Sequence, residues 1–154
     1  DVVVDGKVVP SPHMHWSDIA PGLPAEKIEV FGPPPTSGTR DAFEELVMEV
    51  GCKAVGLLEG KGCRAIRQDG AYLEAGENDD LIVQKLETNP VTVGIFGFSF
   101  LDQNADQIQG AEIGGIEPTF DTIASGSYPG SRALYVYLKK EHVDLIPGMN
   151  GYMD

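Results

Sequence analysis

Residues 31–46, FGPPPTSGTRDAFEEL, constrain the fold of this chain more than any other stretch. Pro33, Pro34 and Pro35 lack backbone N–H groups and hold φ near −65°, so a strand reaching Gly32 must end there and leave along an extended path. An amphipathic run follows at once. Phe43, Leu46, Val47 and Val50 fall at i, i+3, i+4 and i+7, which predicts a helix with one apolar face and a stop at Gly51. Thr36 or Ser37 is the natural N-cap, and Asp41, Glu44 and Glu45 lie where a helix start favours negative charge.

The rest of the chain alternates strand and helix signals. Residues 1–9 read as a strand or a turn about Asp5-Gly6, and residues 10–25 as loop. KIEVFG is a short buried strand ending at Gly32. CRAIRQDGAYLEAG carries a further strand and a glycine turn. ENDDLIVQKLETNP is a helix capped by Asn78, with Leu81, Ile82 and Leu86 inward and Pro90 as its end. VTVGIFGFSF is the most apolar strand candidate, with Phe96, Phe98 and Phe100 on one core-facing side. TFDTIASG is a short helix closed by Gly126. RALYVYLKK is a strand with Tyr135 and Tyr137 on one face, and HVDLIPGMNGYMD opens a last helix. Such alternation predicts an α/β sandwich, and the length suits one domain over residues 1–154.

Charge and motifs narrow the function. The net charge of −13 disfavours nucleic acid and anionic membranes, which need a basic face. No apolar run approaches the roughly 20 residues that span a bilayer. The first residues show no basic-then-apolar leader, so any signal peptide is expected outside this chain. His13 and His15 flank Met14 in a proline-rich segment without metal spacing; no metal or other cofactor is expected. Neither a G-x-x-x-x-G-K-[ST] loop nor a G-x-S-x-G elbow occurs. Cys52 and Cys63, each beside a glycine, fit either a disulfide or two buried thiols.

The opening stretch also carries donors for an anion. Gly38 bares the backbone, Ser37 and Thr39 supply hydroxyls, and Arg40 adds a permanently charged fork. The same residues also make an ordinary helix cap with a surface arginine, so the pentapeptide by itself leaves both readings open.

Four blocks, GPPPTSGTRDAF, RQDGAYLEAGENDDLIVQKL, GIFGFSFLDQN and SYPGSRALYVYLKK, stand in an order that resembles the periplasmic phosphate-binding protein of phosphate ABC transporters, over nearly the whole chain. The resemblance implies one α/β lobe, mainly the second, of a type II periplasmic-binding-protein (Venus-flytrap) fold, a mixed sheet flanked by helices, with the first lobe absent from these residues. It implies a non-enzymatic solute-binding component, extracytoplasmic, that takes inorganic phosphate and hands it to a membrane permease. It puts the phosphate loop on Ser37, Gly38 and Thr39. Pro33 and Pro35 occupy the places where many members carry an arginine and an aspartate, and Arg40 is assigned the guanidinium role, as in the subgroup with the same block. Asn78 is a second candidate ligand, though more naturally a cap, and Asp41 is read as favouring the helix start. Tyr128-Pro129 resembles a rigid connection between lobes. The resemblance also favours a Cys52–Cys63 disulfide and so an oxidising compartment. The alternatives are a stand-alone anion-binding or interaction module, or a phosphatase-like enzyme. Exposed sheet edges in a single lobe would favour a homodimer.

Overall fold

The computed structural model describes residues 2–5, 7–54, 56, 61–143 and 145–153. The chain opens with β1 (Val2–Val4) and β2 (Lys7–Val9), an antiparallel hairpin with Val3 opposite Val8. Asp5, in the turn, has φ of 51°, a left-handed conformation that aspartate tolerates better than most residues. Gly6, the other half of the expected turn, lies outside the described residues. After a 3-10 turn at Trp16–Asp18 comes β3 (Val30–Gly32).

A continuous helical run follows: α1 (Gly38–Phe43), a π-helical stretch Glu44–Glu49, and α2 (Val50–Ala54). Then come α3 (Lys61–Arg64), β4 (Tyr72–Glu74), α4 (Asp79–Thr88), β5 (Val93–Gly94), α5 (Phe98–Gln103), α6 (Phe120–Ala124), a 3-10 turn at Lys140–His142 and α7 (Met149–Met153).

The three later strands form a parallel sheet with β3 in the middle, in the order β4-β3-β5. Val30 lies opposite both Tyr72 and Val93, and Phe31 opposite Leu73 and Gly94. The expected mixed character is thus divided between two sheets, one parallel and one antiparallel. Ile82 and Val83 of α4 are buried, Ile82 at 0% exposure against the parallel sheet at Gly94. β5 can lie close to that helix because Gly94 has no side chain: a Cβ there would sit 2.8 Å from Ile82 Cγ2. Asn78 caps α4, its Oδ1 accepting from the Asp80 N–H at 3.0 Å, which contributes about 1 kcal/mol.

Several expected details change. The helix runs through Gly51, because the π stretch widens the turns and takes Val50 off the apolar face and into solvent. On α4, Ile82 and Leu86 face β5 at Gly94 as expected and Val83 is buried as well, whereas Leu81 is exposed. The apolar strand is only two residues long. Gly97 then caps a helix, so Phe98 and Phe100 lie in α5 rather than alternating in a strand with Phe96. Cys63 and Arg64 are helical, and the glycine turn falls at Gly70, with φ of 92°. Residues 133–139 form no strand, because no neighbouring strand pairs with them. The last expected helix shrinks to α7, and Asp144 of that stretch is outside the described residues. Helix α6 ends as expected at Gly126, whose φ is 73°.

Cys52 and Cys63 are joined by a disulfide that ties α2 to α3 across a sequence separation of 11. The exposed surface is 10754 Å², against about 7,500 Å² for a compact monomer of this mass. Part of the excess is apolar: Leu134 and Tyr137 are each 88% exposed, and Tyr135 and Val136 are exposed with them.

Candidate functional site

Because the sheet is parallel, the segments that follow β3, β4 and β5 all leave from one end of it, the end where open α/β sheets receive ligands. Hydrogen bonds gather them there. Ala75 N–H donates to Gly32 O at 2.9 Å and Ile95 N–H to Phe31 O at 2.8 Å. Thr36 Oγ1 donates to Glu77 Oε1 at 2.5 Å, and Gly97 N–H donates to Asp79 Oδ2 at 3.2 Å.

The prolines shape the first of these segments. Pro33 is fully buried, and its missing N–H leaves no donor to satisfy. Its carbonyl accepts from Tyr72 Oη at 2.8 Å and from Arg40 Nη1 at 3.2 Å. The tyrosine reaches it over Gly32, where a Cβ would collide with the phenol ring. Pro34 O accepts from Ser37 N–H at 3.0 Å, closing a turn that delivers Ser37 to the N-cap.

Of the two N-cap candidates, Ser37 takes the position. Its Oγ accepts from Thr39 N–H at 3.2 Å, and its carbonyl accepts from Arg40 N–H at 3.1 Å and Asp41 N–H at 3.3 Å. Three of the first helical amides are therefore engaged within the cap. Gly38 is exposed and Ser37 and Thr39 are half-buried, so the loop presents two hydroxyls and an open backbone. Asp41 is exposed in the first turn, and Asn78 serves as a cap.

Arg40 is different. It is 6% exposed, and its Nε donates to Glu44 Oε1 at 2.6 Å. Its guanidinium stacks 4.6 Å above the Tyr72 ring centroid, with Glu74 Oε1 4.0 Å from Nη1. Burial works against its charge, but its contacts with Glu44 and Tyr72 outweigh that and hold its pKa above the ordinary arginine value. Burial likewise pushes the Tyr72 phenol up, against the pull of Arg40. Arg40 thus sits beneath the loop as a charged strut joining the helical run to β4.

Three features of this end escape sequence reasoning: the Tyr72 shelf, the Thr36–Glu77 link and Arg132. Arg132 Nη2 donates to Gly38 O at 3.1 Å, from 94 residues away. Its one sequence signal is its place as the lone arginine directly after the Tyr128-Pro129-Gly130-Ser131 turn. The described residues bring together no group of three or more His, Cys, Asp or Glu side chains that could hold a metal ion. His15 Nδ1 lies 3.5 Å from Asp18 Oδ2, an exposed pair.

A sequence profile of the PBP superfamily domain matches residues 4–154. The chain belongs to the PBP superfamily. Relatives within reach of sequence comparison include a protein named phosphate-binding protein PstS from Staphylococcus haemolyticus (strain JCSC1435), 34% identical over 131 residues, covering 82% of this chain and 36% of that protein. Another, of the same name, is from Staphylococcus saprophyticus subsp. saprophyticus, 30% identical over 143 residues, covering 90% of this chain and 39% of the relative. A crystal structure described as that of a possible phosphate binding protein from Planctomyces limnophilus DSM 3776 superposes with a TM-score of 0.55 at 28% identity, over 77% of this chain and 38% of that one. This PBP-superfamily chain therefore spans little more than a third of the length of these relatives, and its α/β lobe corresponds to part of the crystal structure.

Proposed function

We propose that this chain is the phosphate-contacting second lobe of the solute-binding component of a phosphate ABC transporter. The observation that carries the reading is the position of Ser37-Gly38-Thr39. It is a hydroxyl-bearing loop at the ligand-receiving end of a parallel sheet, in a superfamily member whose relatives are named for phosphate binding. In this reading Ser37 and Thr39 donate hydroxyl hydrogen bonds to inorganic phosphate, Gly38 lets it approach the backbone, and Arg40 supplies positive charge from below. The cap bonds made by Thr39 and Arg40 amides put the weight on the hydroxyls, and the Gly38 N–H joins them.

Phosphate near neutral pH still carries a proton, so an acceptor in the opposing lobe admits it and repels sulfate, whose buried oxygen would face an unmatched acceptor. Closure of that lobe over the loop completes the contacts, and a permease in the membrane receives the ion. The work is extracytoplasmic, and the Cys52–Cys63 disulfide accords with an oxidising compartment. No helix among the described residues is long and apolar enough to cross a membrane. The isolated chain binds phosphate no tighter than about the millimolar range, having half the contacts and no closure. Its bare strip at residues 134–138 is a surface that a second copy would cover.

Calorimetric titration of the full-length protein with phosphate tests the site. Ser37→Ala and Thr39→Ala should each weaken binding by about 1–1.5 kcal/mol, roughly tenfold, with little loss of selectivity over sulfate. Unchanged affinity in both would move the site elsewhere. The enzyme alternative predicts turnover of p-nitrophenyl phosphate with or without divalent metal, and the proposal predicts none. The interaction-module alternative predicts melts indifferent to phosphate, whereas a binding protein gains melting temperature as phosphate is raised.

A further inference from the structure

Four arginines occur in this acidic chain, and they are not used alike. Arg40 is committed to Glu44, the Pro33 carbonyl and the Tyr72 ring. Arg64 holds Glu49, and Arg67 holds Asp69. Arg132 alone makes no ion pair among the described residues, although the chain carries 24 acidic side chains to 11 basic ones. Its side chain is exposed and lies along the phosphate loop. Nη2 donates to Gly38 O at 3.1 Å and would be 3.6 Å from a Cβ at Gly38, an ordinary van der Waals distance, so the guanidinium lies directly against the exposed face of that residue.

The origin of the side chain is fixed. Tyr128 Oη donates to Ala111 O at 3.0 Å, and Tyr128 O accepts from both Ser131 N–H at 3.0 Å and Ser131 Oγ at 2.7 Å. A guanidinium has five N–H donors, and the bond to Gly38 O uses one.

We infer that Arg132 is a phosphate-binding residue, the guanidinium that meets the anion at the rim of the loop, while Arg40 acts from beneath. This rests on the site proposed above and adds a residue to it. The chemistry is that of a forked donor facing a tetrahedral oxyanion: with one N–H on the loop carbonyl, the remaining donors reach across Gly38 to oxygens held by the Ser37 and Thr39 hydroxyls. Arg132 also stands at the head of residues 133–139, so the same contact ties an occupied loop to that exposed segment.

The test uses the full-length protein and inorganic phosphate. Arg132→Gln should raise Kd at least tenfold, Arg132→Lys should recover part of that loss, and the melting temperature without phosphate should stay unchanged. Phenylglyoxal labelling read by mass spectrometry gives a second readout on the unaltered protein. Arg132 should be modified in phosphate-free buffer and protected by phosphate, while labelling of Arg64 and Arg67 should not respond. Wild-type affinity in Arg132→Gln, or labelling of Arg132 indifferent to saturating phosphate, would overturn the inference. If Ser37→Ala loses affinity in the same experiment while Arg132→Gln does not, only the role of Arg132 fails. If neither does, or the unaltered protein does not bind phosphate, the proposed site fails with it.

Discussion

β3 with its loop, residues 30–40, and the segment 131–139 both carry an apolar run beside a turn containing proline, yet their fates differ. Val30–Gly32 is the centre of a sheet, paired on both sides, and the loop beyond it is held by Tyr72, Arg40 and the Ser37 cap. Residues 133–138 form no strand and are bare, and beyond the local bonds of Ser131 to Tyr128 O the described long-range hydrogen bond of this segment is Arg132 on Gly38 O. The apolar character is similar; the difference is partners. A strand exists only when another backbone accepts and donates its hydrogen bonds, and an alternating sequence supplies the faces but not the neighbour. The lobe is held by paired backbone and buried side chains at β3 and its loop, and is bare over residues 133–138.

That contrast sets the order of the expected effects. Ile82→Ala removes a side chain with no exposure beneath the paired sheet and should cost about 2–5 kcal/mol in denaturant unfolding. Tyr137→Ser, in the bare segment, should change stability by less than about 0.5 kcal/mol. Similar losses for both would mean that residues 133–138 are packed after all. Next, reduction of the Cys52–Cys63 bridge should cost about 3 kcal/mol from the loop it closes, a fall in melting temperature on the order of 6–10 °C. An unchanged melt in reductant would show that α2 and α3 do not depend on it.

The smallest effect is electrostatic. Glu49 lies between Lys53, 3.0 Å away, and Arg64, whose Nε donates to it at 2.6 Å. The hydrogen bonds from Lys53 and then Arg64 hold its pKa below the ordinary value of 4.5. A depressed carboxylate favours the folded state above its unfolded pKa, so this contribution is complete above pH 4.5 and is lost as pH falls through the lowered value. Glu49→Gln should therefore flatten the acid limb of a stability–pH profile and leave its shape above neutrality unchanged. An identical acid limb in the variant would place Glu49 outside the folded ion cluster.

Much of the fold was legible because local chemistry decided it. The Ser37 and Asn78 caps, the proline stop after Gly32 and the glycine after α6 follow from backbone donors and allowed φ. The errors lie where register or long-range pairing decides. One widened turn moved Val50 off its face. Gly97 converted a phenylalanine alternation into a helix start. The last strand lacked a neighbour. At the candidate site, Ser37, Gly38 and Thr39 stand together as their adjacency requires. That Arg40 turns inward onto Tyr72, and that Arg132 arrives from 94 residues away, depends on the sheet order, which no local pattern encodes.

The most direct measurement is an amide and guanidinium NMR titration of the protein with inorganic phosphate, taken to saturation. The account predicts shifts at the backbone N–H groups of Gly38 and Thr39 and at the Arg132 side chain, with the Arg40 side chain moving less. Saturable binding that leaves Gly38, Thr39 and Arg132 unmoved and shifts another part of the lobe would contradict it.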